Sequence, residues 1–206
     1  MALTNVEIMM EARNSLKEKW GIAVGATVVY LVIVIIINSL HNVGRIVNII
    51  LGGPLQVGLA SFYLILVRGN KPGIKNIFDG FSSFGNNLAA YLLMLLYIIL
   101  WTLLLIVPGI IAAFNYSMTM FILADNPGLD ASEALKKSKK MMNGNKAKLF
   151  YLYCRFIGWI LLGFLTVGIG FLWITPYIMT SISLFYEDIR DTGDNSSNMV
   201  KCMSEM

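Results

Sequence analysis

Side chains that could carry out catalysis are scarce in this sequence. His41 is the only histidine, and the two cysteines, Cys154 and Cys202, lie in unrelated segments. A catalytic nucleophile needs a nearby general base, and a zinc site needs several His, Cys or carboxylate ligands. No Ser–His–Asp or Cys–His set, zinc-ligand spacing or phosphate-binding glycine loop occurs. The sequence therefore predicts no catalytic residues, no cofactor and no metal, and it places His41 in a solvated loop.

A small set of polar groups lies inside long apolar segments, where they form a candidate intramembrane polar site. Its members are Gln56, Asn115, Thr119, Arg155 and Thr180. Such groups hydrogen-bond between helices or line a path for a solute, and both interpretations stay open. An ionisable residue in a membrane segment is a functional candidate, which makes Arg155 of interest. Its long side chain could also reach back to the membrane surface.

The most basic part of the sequence is one short segment. Four lysines lie within five positions, namely Lys136, Lys137, Lys139 and Lys140. On a helix they fall opposite apolar residues such as Ala134 and Leu135. A basic amphipathic helix beside a membrane attracts anionic lipid headgroups. The pattern predicts contact between these lysines and anionic lipids, with a protein partner as the alternative.

The composition is that of a membrane protein. Hydrophobic residues make up 57% of the 206 residues and charged residues only 14%, and the mean hydropathy is +0.69. Asp, Glu, Lys and Arg are absent from residues 20–44, 46–67, 80–124 and 156–186. A helix needs about 20 apolar residues to cross the hydrocarbon core. The net charge of +4 is explained by basic residues beside apolar runs, which indicates a lipid bilayer as partner and not nucleic acid.

These runs predict an all-α fold of six transmembrane helices arranged as three hairpins. The expected spans are Gly21–Leu40, Ile46–Val67, Leu88–Val107, Ile110–Ala124, Leu149–Thr166 and Ile169–Tyr186. A single helix over residues 80–124 would be about 68 Å long, so the chain must turn back within it. Hairpins that enter and leave one leaflet as wedges are the competing arrangement.

Glycine and proline punctuate the apolar runs where the hairpins are expected to turn. The candidate turn residues are Gly53, Pro54, Pro108, Gly109, Gly168 and Gly170. Pro-Gly pairs interrupt helices and favour turns, and proline inside a helix kinks it or delays its start. The clearest of these sites is Pro108-Gly109, because it divides the 80–124 run.

A short amphipathic segment precedes each hairpin, which predicts a threefold repeat with units at about 4–68, 72–126 and 130–188. Thr4 with Glu7, and Asp130 with Glu133, resemble helix-capping boxes. Tyr116 matches Tyr177 at a shift of 61 residues, although apolar sequences also align by chance. Together these units form a single transmembrane domain over residues 1–188, and the polar residues 189–206 are expected to form a disordered tail.

The distribution of basic residues predicts the orientation. The N-terminus, the connections 68–87 and 125–148 and the C-terminus carry 14 of the 16 Lys and Arg residues. Basic loops stay in the cytoplasm. We therefore expect a multi-pass protein of the cell membrane with both termini in the cytoplasm.

Several stretches carry a family resemblance. They are Leu105-Ile-Val-Pro-Gly-Ile-Ile111, the lysine-rich segment from Ala134 to Lys146, Phe156-Ile-Gly-Trp159, the segment from Gly168 to Tyr177, and Phe185-Tyr-Glu-Asp188. Together they resemble the bacterial integral membrane proteins catalogued as domain of unknown function 975. Cys154-Arg155 departs from the pattern, which makes a family-wide role for Arg155 doubtful. The resemblance implies a membrane fold and carries over no activity.

The leading functional expectation is a non-enzymatic membrane protein that acts as a scaffold, lipid-interacting or accessory component. A transporter or permease component for a small or lipid-like solute is the alternative, and an unrecognised membrane enzyme is the third possibility. A membrane-protein partner or a homo-oligomer is compatible with the sequence, which specifies neither.

Overall fold

The computed structural model describes the backbone of residues 3–166 and 168–204 and the side chains of residues 3–40, 44–166 and 168–192. This part of the chain is all-helical, without strands. The helices are α1 (Asn5–Leu16), α2 (Trp20–Ser39), α3 (His41–Val67), a 3-10 helix (Ile74–Phe81), α4 (Phe84–Leu104), α5 (Ile106–Tyr116), α6 (Thr119–Asp125), α7 (Ala131–Met141), α8 (Lys146–Leu165) and α9 (Phe171–Ser204).

Five helical segments of the described chain are long and apolar enough to cross a membrane. They are Trp20–Ser39, Gly44–Val67, Phe84–Leu104, Ile106–Asp125 and Lys146–Leu165. The expected sixth span is the start of α9, where the apolar stretch is short because Glu187 and Asp188 follow Tyr186. These five segments suggest a membrane protein.

The turn residues proposed for the first hairpin do not form a turn. Gly53 and Pro54 lie inside α3, and the chain turns at Leu40, where the first expected span ends. Gly53 allows close helix packing, since a Cβ there would lie 2.7 Å from Tyr91 Cβ of α4. The second reversal is at Leu105, which has extended backbone angles.

The other expected turn residues lie at or next to reversals. Pro108 and Gly109 belong to the first turn of α5, where proline is tolerated because its missing N–H has no helical partner. Gly109 also lies against Thr102 of α4, so the two helices approach closely. Gly168, with a φ of +88°, and Gly170 lie in the connection between α8 and α9.

Each short helix packs against helices of another part of the chain. Helix α1 lies along α9, where the Tyr177 hydroxyl donates to the Met9 carbonyl at 3.2 Å. The 3-10 helix lies along α3, and α7 lies against α5 and α6, where Ser138 Oγ donates to the Asn115 carbonyl at 2.8 Å. The contact between α1 and α9 thus brings the first and the last described helix together.

The 3-10 helix approaches α3 so closely that only glycine fits at the contact. A Cβ on Gly58 would lie 1.7 Å from the Ile77 carbonyl oxygen, and a Cβ on Gly80 would lie 2.0 Å from the Pro54 carbonyl oxygen. Backbone therefore packs on backbone at both places. The apolar Ile77 is fully buried as a result.

The buried side chains and the exposed apolar side chains come from different parts of the helices. The second half of α3, α6 and the middle of α9 supply large buried residues, including Phe62, Tyr63 and Tyr186. In contrast, Leu103 is 84% exposed and Leu165 is 80% exposed, and both lie beside chain reversals. Soluble proteins rarely expose large contiguous apolar surfaces.

Helix α9 extends beyond the expected domain boundary. The sequence placed the start of a disordered tail at residue 189, whereas the helix continues to Ser204. Ile189 is buried, and Arg190 makes ion pairs with Asp125 and Glu187. Ile189 and Arg190 thus pack against other parts of the described chain.

Candidate functional site

The polar residues predicted inside the spans lie in separate places. Thr119 and Thr180 are fully buried; Thr180 donates to the Pro176 carbonyl at 2.7 Å, and the Thr119 hydroxyl has no partner. Gln56 is half-buried on α3. Asn115 and Arg155 each line a cavity, but not the same one. The proposed polar site is therefore not assembled as one site by the side chains described.

Arg155 is exposed on α8, at the edge of an open cavity of about 740 Å³. Thr4 and Asn5 of the N-terminal segment also line this cavity. The Asn5 amide nitrogen donates to the Lys148 carbonyl at 3.0 Å, while its buried amide oxygen has no partner. The Arg155 side chain is thus exposed, and its expected reach to the membrane surface stays a prediction.

The lysine-rich helix α7 packs by its apolar face against protein. Ala131, Ala134, Leu135 and Ser138 are buried, and α4, α5 and α6 cover them. The four lysines on its other face are exposed. The apolar face of this helix thus lies in the core of the protein, and its lysines remain at the surface. The expected contact of these lysines with anionic lipids stays a prediction.

The beginning of α7 has a simpler cap than the sequence suggested. The Asp130 carboxylate accepts hydrogen bonds from the backbone N–H of Ser132 at 3.0 Å and from its hydroxyl at 2.8 Å. These bonds lower the pKa of Asp130. Glu133 takes no part in this cap. The capping box between Thr4 and Glu7, in contrast, is complete at the start of α1.

A cavity lined by lysines, which we call the lysine cavity, lies between the end of α7 and the start of α8. Its volume is about 410 Å³, and its lining residues are Asn115, Lys136, Lys139, Lys140, Asn143 and Lys146. Lys137 is exposed on the same helix but does not line it. Within the described chain, none of these lysines forms an ion pair. Such a cavity is electrostatically suited to an anion.

An apolar cavity of about 340 Å³, the aromatic groove, adjoins the lysine cavity. Its lining residues are Leu93, Tyr97, Trp101, Tyr116, Ser132, Leu135, Lys136 and Lys139. The rings of Tyr97 and Tyr116 stack with their centroids 5.6 Å apart. Because Lys136 and Lys139 line both cavities, the two form one surface that is basic at one end and aromatic at the other.

Charged residues at the end of α3, at the end of α6 and in the middle of α9 form an ionic cluster that the sequence did not reveal. Arg68 follows α3, Asp125 ends α6, and Glu187 and Arg190 lie on α9. Arg68 pairs with Asp125 and with Glu187, and Arg190 pairs with the same two acids. The Tyr186 hydroxyl donates to Asp125 at 3.1 Å. The available sequence signal was that each of these charges follows an apolar run.

A second ion pair fixes the N-terminal segment to α9. Lys148 Nζ lies 2.6 Å from Asp188 Oδ2, and the Leu3 backbone N–H donates to Asp188 Oδ1 at 2.7 Å. The Asp188 side chain is only 5% exposed. One carboxylate thereby joins the chain's first described residue to α8 and α9.

The described residues contain no group of three or more His, Cys, Asp or Glu side chains that could hold a metal ion. His41, which was expected in a loop, is the first residue of α3, and its side chain lies outside the described set. Cys154 is a free thiol and is partly buried.

Comparison with known protein families gave a match over most of the chain. A family model described as a protein of unknown function, DUF975, matches residues 1–114 and 103–193. Neither a search of curated proteins nor a search of solved structures found a match.

Proposed function

This chain belongs to the DUF975 family of proteins of unknown function, and we propose that it is a six-span membrane protein with a non-enzymatic scaffold, lipid-interacting or accessory role. Both termini lie in the cytoplasm in this proposal. The single observation that carries it is the exposure of large apolar side chains beside the chain reversals, such as Leu103 at 84% and Leu165 at 80%. Such surfaces are stable when hydrocarbon covers them.

The sixth span in this proposal is the start of α9, from Phe171 to Tyr186. It is supported by the ionic cluster, because Arg68, Asp125 and Glu187 place the ends of α3, α6 and the apolar part of α9 next to one another. The second helices of the three proposed hairpins therefore end next to one another, as expected if all three hairpins enter the membrane from the same side. The adjoining basic connections then lie in the cytoplasm.

The repeat in this proposal gains support from the second helices of the last two hairpins. Tyr116 and Tyr177, and Thr119 and Thr180, are pairs of identical residues separated by 61 positions. Each short helix also packs against the second helix of a different unit: α1 against α9, the 3-10 helix against α3, and α7 against α6. Repeated units with the same packing relationship are a common way to build a membrane domain.

The scaffold or lipid-interacting role is preferred to transport because the polar residues do not converge. Gln56, Asn115 and Thr119 would have to line one hydrated cavity for a solute path, but the Thr119 side chain is fully buried and Asn115 faces the lysine cavity. The lysine cavity favours an interaction at the membrane surface. The absence of enzymatic activity remains part of the proposal.

Cysteine accessibility in cells tests the six-span arrangement. Single cysteines would replace Asn42 and Thr166 at two reversals, and Lys71 and Gly128 at two basic connections, with Cys154 and Cys202 changed to Ser. A membrane-impermeant maleimide should label the first two positions from outside and the last two only after the membrane is opened. Labelling of the reversals only from the cytoplasmic side would support wedges and overturn six crossings.

A further inference from the structure

We propose that the lysine cavity and the aromatic groove together bind one phospholipid with an anionic headgroup. This inference rests on the proposed membrane function, and it adds the lipid class and the site. The headgroup would occupy the lysine cavity, and the upper part of an acyl chain would lie in the aromatic groove.

The charge of the lysine cavity selects an anion. Four ammonium groups line it, and Asn115 and Asn143 supply the remaining side chains. Arg68, Lys148 and Arg190, in contrast, pair with carboxylates. The lysine cavity therefore has an uncompensated positive charge that a phosphate group can neutralise.

Stabilisation of helix α7 does not account for all four lysines. Lys139 and Lys140 lie in the last turn of α7, where positive charge interacts favourably with the helix dipole. Lys136 lies one turn earlier, and Lys146 is the first residue of α8, where positive charge is unfavourable. The shared property of the four is their position around one cavity.

The aromatic groove indicates that the anion carries an apolar chain. Tyr97 is 41% exposed and Trp101 is 46% exposed, on the surface of α4 that also presents Leu96 and Leu100. These exposed rings and the neighbouring leucines offer an apolar surface for an acyl chain. A free phosphate would use only the lysine end, whereas an anionic phospholipid matches both ends of the surface.

Lys137 is a control that distinguishes a specific lipid site from general attraction to an anionic membrane. Lys137 has the same charge and is exposed on the same helix, but it lines neither cavity. General attraction to an anionic membrane would weaken on loss of any of these charges. A defined lipid site requires Lys136, Lys139, Lys140 and Lys146 and tolerates Lys137→Gln.

The test is lipid titration of the purified full-length protein in neutral detergent, followed by native mass spectrometry. Phosphatidylglycerol should bind at least about tenfold more tightly than phosphatidylcholine. The quadruple variant K136Q/K139Q/K140Q/K146Q should lose that preference, while K137Q keeps it. Trp101→Ala should weaken the binding of both lipids and leave the ratio of their affinities unchanged. If the quadruple variant fails to fold, K139Q/K140Q should still lower the preference several-fold.

Three results would overturn the lipid site. The first is an equal affinity of the wild type for both lipids. The second is a loss of the phosphatidylglycerol preference in K137Q as large as that in the quadruple variant. The third is inorganic phosphate that binds as tightly as phosphatidylglycerol, together with no effect of Trp101→Ala on lipid binding. The last result would mark a site for a soluble anion. Failure of the membrane proposal is recognised separately, because the wild type would then stay in solution without detergent.

Discussion

Arg68 and Glu187, 119 residues apart in the chain, meet with Nη2 of Arg68 2.8 Å from Oε1 of Glu187. The same guanidinium contacts Asp125, so one side chain joins the ends of α3, α6 and the apolar part of α9. Both acids are mostly buried, with side chains 15% and 16% exposed. The pairing therefore fixes how the three helix ends lie relative to one another.

Arg68→Gln should destabilise the protein by about 1 kcal/mol, because two partly buried carboxylates lose one of their two cationic partners. Arg190 still pairs with both acids, and Arg68 itself is 36% exposed, which limits the loss. Thermal unfolding of the purified protein in detergent measures the change. The matched control is Arg155→Gln, which removes an exposed arginine without an ion pair and should leave the melting temperature unchanged. Equal melting temperatures of the Arg68→Gln and Arg155→Gln variants would mean that the ionic cluster does not stabilise the helix ends.

Gly58→Ala should separate the 3-10 helix from α3. The added Cβ would lie 1.7 Å from the Ile77 carbonyl oxygen, and a backbone atom cannot move aside as a flexible side chain can. We expect a loss of stability of about 1–3 kcal/mol and faster amide exchange over residues 74–81.

Gly25→Ala is the control for this glycine contact. Gly25 lies inside α2, and apart from the adjacent backbone of its own helix no heavy atom lies within 4 Å of the added carbon. Alanine there should be neutral or stabilise the helix by up to about 1 kcal/mol. A Gly58→Ala protein as stable as the wild type would contradict the close backbone packing.

Asp188→Asn should loosen the N-terminal segment. The substitution leaves Lys148 without its anionic partner and weakens the bond from the Leu3 backbone N–H. A cost of about 1–3 kcal/mol is expected, with faster amide exchange at the start of α1.

Asp191→Asn tests whether that effect is specific. Asp191 lies on the same helix, but its side chain is 65% exposed and contacts only Arg190. Unchanged exchange at the start of α1 is expected in this variant. If Asp188→Asn also leaves that segment protected, the carboxylate does not anchor it.

Leu96→Arg should impair insertion into the membrane. Leu96 lies in the middle of α4 and is 51% exposed, so the charge would face hydrocarbon in the six-span arrangement. A central arginine costs about 2.5–3.5 kcal/mol on insertion scales. The amount of protein in the membrane fraction should fall, whereas Asn14→Arg, at an exposed position of α1, should have little effect. Normal insertion of Leu96→Arg would show that this surface does not face lipid.

Amino-acid type alone determined which parts of this chain became long helices. The absence of charge over residues 20–44, 46–67, 80–124 and 156–186 excludes solvated loops in most of each run and favours helices long enough for a bilayer. The Thr4–Glu7 cap was predictable for the same reason, because its two partners are three residues apart. Local composition and spacing suffice for features that depend on neighbouring residues.

Tertiary contacts decided where the chain turns and which charged groups meet. Gly53 and Pro54 favour a turn locally, but the packing of Gly53 against Tyr91 is available only when α3 continues through them. Arg68, Asp125 and Glu187 look like ordinary ends of apolar runs until folding brings them together. The lysine cavity arises in the same way, because Asn115 and Lys146 come to α7 from other helices. Contacts between distant residues depend on the packing of the whole chain, and local sequence patterns do not encode them.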